Sequence, residues 1–152
     1  MNPETTLQEL GIELPDATPS LASYARTVRY GNLLFVSGQL PLLGSTLVYV
    51  GKVGVGVSSE QAVVAARQCA VNAVAAIKAE LGDLSKVARI VKLTGYGASG
   101  ASFTSQPRVI DGASDLFVAI FGEAGRHARS AVGVACLPLD APVEIELIVG
   151  VA

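Results

Sequence analysis

Three places in this 152-residue sequence hold side chains suited to chemistry: Arg129, Glu144 and the run Ser37-Gly38-Gln39. Arg129 follows Gly125-Arg126-His127-Ala128 and opens an apolar stretch. Its planar guanidinium can grip a carboxylate through two parallel hydrogen bonds. A solvated surface arginine is the plainer alternative. Glu144 stands in Val143-Glu144-Ile145-Glu146, between apolar strand residues. On a free edge it simply faces water. Covered by a neighbouring subunit, it can orient a water or take a proton. In Ser37-Gly38-Gln39 the glycine lets a ligand approach the backbone, and the flanking side chains can donate hydrogen bonds. A strand end followed by a turn explains the same run.

Other candidates carry less. His127 is a general acid or base by residue type, but no Asp or Ser beside it supports a triad, so an exposed loop histidine is expected. Residues 51–56 are glycine-rich, yet no Lys-Ser/Thr pair follows at a helix start, so they read as a flexible loop. There is no GxGxxG after a strand, no GxxxxGK[ST], no HExxH and no GxSxG. One histidine and no CxxC give no basis for a metal site. Cys69 and Cys136 sit among apolar residues and read as small buried hydrophobes in a reducing compartment.

The elements that position these residues follow from periodicity. Leu7, Leu10 and Ile12 form one short helical turn that docks on the body. Pro15-Asp16 and Pro19-Ser20 are extended or turning chain. Residues 26–30 and 33–36 make a hairpin around Gly31-Asn32, and a further strand is expected over 46–52. Ser58, with Gln61 three residues on, fits a capping box. It opens an Ala-rich helix of about 22 residues, with Val63, Ala66, Ala70, Ala73, Ile77 and Leu81 on one face. Gly82 ends it.

Residues 87–96 form the next strand, where Gly95 and Gly97 predict a bulge or a close backbone approach. Residues 98–107 read as loop. A second helix is expected over 111–124, capped by Asp111 or Ser114 and ended by Gly125. Strands over 130–137 and 143–151 close the chain. Strands grouped around two helices predict an α+β fold: a mixed β-sheet with both helices packed on one face, in one domain over residues 1–152.

Composition points to assembly. Only 16% of residues are charged, against about 25% in an ordinary soluble domain. Mean hydropathy is +0.50. A sheet covered on one side leaves an open face, expected here to be largely apolar and to be closed by further copies. The net charge of −2 and scattered Lys and Arg make nucleic acid an unexpected partner. The N-terminal stretch is acidic and is not a signal peptide, and no apolar run reaches the ~18 residues of a membrane span. A soluble, cytoplasmic protein without a membrane partner is expected.

Three blocks carry a resemblance. The first is Tyr24 with Gly31-Asn32-Leu33-Leu34-Phe35-Val36-Ser37-Gly38-Gln39-Leu40-Pro41. The second is Ala128-Arg129-Ser130-Ala131-Val132, with Leu137-Pro138 at the right distance. The third is Val143-Glu144-Ile145-Glu146. In order and spacing they resemble the RidA (YjgF, endoribonuclease L-PSP-like) family over roughly residues 19–151. The resemblance implies a chorismate-mutase-like fold and a homotrimeric barrel with clefts between subunits. Residues 1–19 would be an N-terminal extension and 20–152 the core.

It also implies hydrolysis of reactive 2-imino acids to 2-oxo acids and ammonia, without a cofactor. By position, Arg129 would bind the substrate carboxylate and Glu144 would orient the attacking water. Tyr24 would line the cleft, with Ser37 and the Gly38 backbone near the substrate. Ser114 stands nearest the place where compact members carry an Asn. The chain departs from the pattern in its extension, in the longer segment over 97–107, in Ala131 and in His127. The alternatives are a non-catalytic trimer that binds a small carboxylate-containing metabolite and, with less support, an endoribonuclease or translation inhibitor.

Overall fold

The computed structural model describes residues 2–17, 20 and 22–152. Pro19, in the expected turn and at the edge of the extension, lies outside the described residues. The chain starts with helix α1 (Pro3–Glu9), capped by the Asn2 side chain, which accepts from the Glu4 amide at 2.8 Å. Leu7 is buried and Ile12 packs partly against the core. Leu10, expected to dock with them, is exposed because it is the C-cap where the helix has already ended. The Glu4 carboxylate accepts from Lys78 Nζ at 2.6 Å and from the Leu84 amide at 3.3 Å, so the extension is tied to the body.

The expected hairpin is present as β1 (Thr27–Tyr30) and β2 (Leu33–Gln39), with Gly31 left-handed in the turn at φ +62°. The strand expected over 46–52 does not form. Instead β3 (Leu42–Leu43) and β4 (Thr46–Leu47) make a small hairpin. Side chains of the following helix hold it: Asn72 Nδ2 donates to the Leu40 and Leu42 carbonyls, and Gln68 Nε2 to Leu42. Gly51, at φ +116°, turns the chain and donates its amide to the Asp140 carbonyl rather than to a ladder. Within the glycine-rich stretch, β5 (Lys52–Val53) and β6 (Gly56–Val57) pair only briefly.

Helix α2 (Ser59–Leu81) has the reciprocal capping box of Ser58 and Gln61. It is long and apolar enough to cross a membrane, but 61% of that window is buried inside the fold, as a core helix requires. Strand β7 (Val87–Ala98) follows. Gly95 marks a close approach and not a bulge: a Cβ there would lie 2.6 Å from the Ile110 side chain. The register shifts of β7 lie instead between Val87 and Lys92.

Helix α3 spans Gln106–Phe121, starting and ending earlier than expected. Proline is tolerated in a first turn, where its missing N–H has no helical partner anyway, so Pro107 belongs to the helix. The N-cap is Ser105, without a side-chain hydrogen bond. Asp111 and Ser114 therefore cap nothing and sit mid-helix. Gly122 ends the helix, and a 3₁₀ turn (Gly122–Gly125) leads to β8 (Ala128–Val134). β9 (Val143–Val151) closes the chain over the residues expected.

The sheet order is β1-β2-β9-β7-β8, with β7 and β8 parallel and the other pairs antiparallel. Val143, Ile145, Leu147 and Val149 of β9 join Ile90 and Leu93 of β7 in a core closed by α2 and α3. This is the expected mixed sheet with its two helices on one face. The open face is only partly apolar. Val28, Tyr30, Leu33 and Phe35 are exposed on the β1–β2 hairpin, while Lys92, Thr94, Tyr96, Glu144 and Glu146 occupy the middle strands. Cys69 is buried, its thiol donating to the Val143 carbonyl at 3.7 Å, with a pKa raised chiefly by burial. Cys136 is exposed, because it follows the end of β8 rather than lying within it.

Candidate active site

The residues expected to do chemistry fall into two groups. Arg129 is the second residue of β8, an edge strand, and pairs in register with buried Leu93. That register turns its side chain toward α3. There Arg129 Nη1 donates to Asp111 Oδ1 at 2.7 Å and to Ser114 Oγ at 3.2 Å. Asp111 and Ser114 are three residues apart and so share one helix face. The arginine side chain is 23% exposed, so it is a held group rather than a free surface one. An open cleft of about 450 Å³ lies beside it, lined by Ser114, Asp115, Val118, Arg126, His127 and Arg129.

His127 is not the exposed loop residue expected. It is partly buried edge-on against Phe117, with ring centroids 6.2 Å apart. Burial is the main cause that lowers its pKa below the usual imidazole value; the Ala128 carbonyl opposes it, and the nearby Arg129 charge adds a lesser lowering. Neutral imidazole is the form that accepts a proton.

The second group centres on Glu144, on the open face of β9. Its carboxylate occupies the space where Gly38 lacks a side chain, so a Cβ at 38 would run into Oε1. Desolvation raises the Glu144 pKa above the ordinary carboxylate value, and the neighbouring Glu146 charge adds to the shift. Glu146 in turn accepts from Tyr96 Oη at 2.7 Å, which pushes the phenol up to about 12.

Ser37 adjoins this group through Gly38, but its hydroxyl donates to the Ala25 carbonyl at 2.7 Å. Ser37 therefore offers a ligand its oxygen lone pairs, not its proton. Tyr24, next to Ala25 in the chain, is 61% exposed. Among the described residues, no hydrogen bond, ion pair or shared cleft lining joins the Arg129 group to the Glu144 group.

Reading the sequence missed Asp111 and Tyr96 as site residues. Asp111 read as a helix cap, and a corrected start for α3 would have placed it one turn before Ser114. Tyr96 ends an alternating strand, and only the β7–β9 register puts it opposite Glu144. Among the described residues, no three His, Cys, Asp or Glu side chains converge as a metal site.

Residues 4–150 match the family described as "YjgF/chorismate mutase-like, putative endoribonuclease". Protein TCP17 of Trypanosoma cruzi is 46% identical over 144 residues, covering 94% of this chain and 90% of that one. The crystal structure of Atu1372 from Agrobacterium tumefaciens, described as having unknown function, superposes with a TM-score of 0.93 at 48% identity, covering 99% of this chain and 92% of the other. The crystal structure of a "putative endoribonuclease" from Shewanella oneidensis superposes with a TM-score of 0.95 at 34% identity, covering 99% of this chain and 100% of the other. The opening hairpin, the arginine strand and the closing glutamate strand all belong to one sheet of the matching fold, and the chain belongs to the RidA/YjgF family.

Proposed function

We propose that the protein is an enamine/imine deaminase, hydrolysing reactive 2-imino acids to 2-oxo acids and ammonia. The observation that carries this reading is the Arg129 guanidinium, fixed at Nη1 and lining a small cleft. A 2-imino acid places a carboxylate beside its C=N carbon. Bidentate pairing of that carboxylate with Arg129 sets the orientation of the planar iminium, and orientation is a large part of such a rate enhancement.

The oxygen of a water adds to C2, and its proton passes to a carboxylate. As the water adds, the C=N π pair moves to nitrogen; the proton held by the carboxylate then passes to that nitrogen, the C–N bond breaks with its pair leaving on ammonia, and the hydroxyl gives its remaining proton to the carboxylate as the carbonyl forms. Glu144 suits the proton-handling role because its raised pKa lies nearer neutrality than an ordinary carboxylate's. Tyr24, Ser37 and the Gly38 backbone would border the bound acid. The reaction needs no cofactor.

Arg129 and Glu144 belong to separate groups in one chain, so the reading requires a second copy. A homotrimer with intersubunit clefts would set Arg129 of one subunit against Glu144 of the next. The exposed Val28, Tyr30, Leu33 and Phe35 support such an assembly. Light scattering should give about three times 15.5 kDa. A stable monomer at micromolar concentration would sink both the trimer and the composite site. Two free cysteines fit a reducing, cytoplasmic setting, which is part of the same proposal.

The test is a coupled assay, with an amino-acid oxidase generating the imine and 2-oxo acid release followed for wild type and Arg129→Ala. Acceleration lost in the variant supports the deaminase. A folded trimer that accelerates no imine favours the second reading, a non-catalytic binder of small carboxylates. What supports that reading is that the Arg129 half of the site is complete within one chain. The endoribonuclease name of the family sits poorly with a net charge of −2. Salt-sensitive RNA cleavage abolished by a cleft substitution would revive it.

A further inference from the structure

We propose that Asp111 is a positioning residue that decides which edge of Arg129 meets a bound acid; this rests on Arg129 being the carboxylate anchor. An arginine offers two edges for bidentate pairing, Nη1–Nη2 and Nε–Nη2, and a free one samples both. Here Nη1 donates to Asp111 Oδ1 at 2.7 Å and to Ser114 Oγ at 3.2 Å. Nη1 has only two hydrogens, so both are committed and the end-on Nη1–Nη2 edge is blocked. Nη2 and Nε carry no hydrogen bond among the described residues, and Arg129 lines the cleft. The Nε–Nη2 edge is the one left for a ligand.

The mid-helix place of Asp111 fits this role. It caps nothing, since the α3 N-cap is Ser105. Its side chain is 53% exposed, so its carboxylate is kept from water only in part. An exposed ion pair contributes little to folding. The pairing therefore acts mainly on Arg129's geometry. It also sets a negative charge behind the guanidinium, which disfavours a second anionic group on that side of the ligand.

Calorimetric titration with 2-oxobutanoate, a stable product-like monocarboxylate, tests the role on the full-length protein. Asp111→Ala should weaken binding about 10-fold, the order of one charge-assisted hydrogen bond. Asp111→Asn keeps the Oδ1 acceptor and should recover most of that loss. Melting temperatures of both variants should stay near wild type, which separates positioning from a structural role. Arg129→Lys, already without a fork to orient, should lose nothing more when Asp111→Ala is added. Wild-type affinity in Asp111→Ala, with binding abolished in Arg129→Ala, overturns this inference and leaves the anchor standing. Unchanged binding in Arg129→Ala, or none in wild type, overturns the anchor and this inference with it.

Discussion

Gly38 stands where any side chain would overlap the carboxylate of Glu144. The relationship joins a bare point of β2 to a β9 carboxylate whose pKa is raised chiefly by desolvation. Gly38→Ala should force Glu144 off its position. Because that carboxylate is half-exposed and can swing outward, the stability cost should be small, about 1 kcal/mol. Imine turnover should fall much more, by about 10²-fold, the lower range for a displaced general base. Parallel thermal melts and coupled assays would show this. A variant with full turnover would detach Glu144 from the chemistry.

The pH dependence of stability should carry the mark of Glu144. Its folded pKa is raised, so the folded state holds its proton at pH values where the unfolded state has released it. Stability then falls as pH rises from the ordinary carboxylate value through the raised one. Glu144→Gln removes that term. The melting temperature of wild type relative to the variant should decline across this window, and a flat difference would contradict the burial of the carboxylate.

His127 predicts the opposite slope. Its folded pKa is lowered, so the unfolded chain takes up a proton first as pH falls. Stability is lost as pH drops through the usual imidazole value and is restored above it. As the sole histidine, it gives one imidazole resonance to follow by NMR titration. Phe117→Ala removes its edge-on partner and should move the midpoint upward. The same substitution should cost about 3–5 kcal/mol, because Phe117 is fully buried.

Gly95 and Ile110 should be coupled energetically. A Cβ on Gly95 meets the Ile110 side chain at 2.6 Å, so Gly95→Ala should destabilise by about 1–3 kcal/mol. Ile110→Ala alone leaves a cavity and should cost about 2–5 kcal/mol. The double variant should cost clearly less than the sum, since the added methyl fills part of the space the other change empties. Additive urea denaturation midpoints would show that α3 can shift away from the sheet.

How far the sequence reveals the fold depends on where each element finds its partners. β9 alternates buried Val143, Ile145, Leu147 and Val149 with outward Glu144 and Glu146, so period and burial agree and its limits are legible. α2 carries its own cap in Ser58 and Gln61. The stretch over 46–52 reads as strand by residue type, yet only Thr46–Leu47 pairs, with a β3 whose Leu42 carbonyl is held by Asn72 and Gln68, far along the chain. Local pattern holds no trace of them. α3 hides its start because Pro107, a breaker almost anywhere else, is harmless in a first turn.

The site was legible unevenly for the same reason. Arg129 and Glu144 stand in motifs that can be read one residue at a time. Asp111 became visible only when the corrected helix put it on the face shared with Ser114, and Tyr96 only through its register with β9.

The unlike settings of the two cysteines make the protein self-selective toward thiol reagents. Cys69 is sealed beneath Val143 with a pKa driven up by burial, while Cys136 is open to solvent. A maleimide dye should therefore attach at one place in the folded protein and at two after denaturation. That single attachment point follows the strand bearing Arg129, so a fluorophore there would report on events at the arginine edge of the sheet without any engineered cysteine.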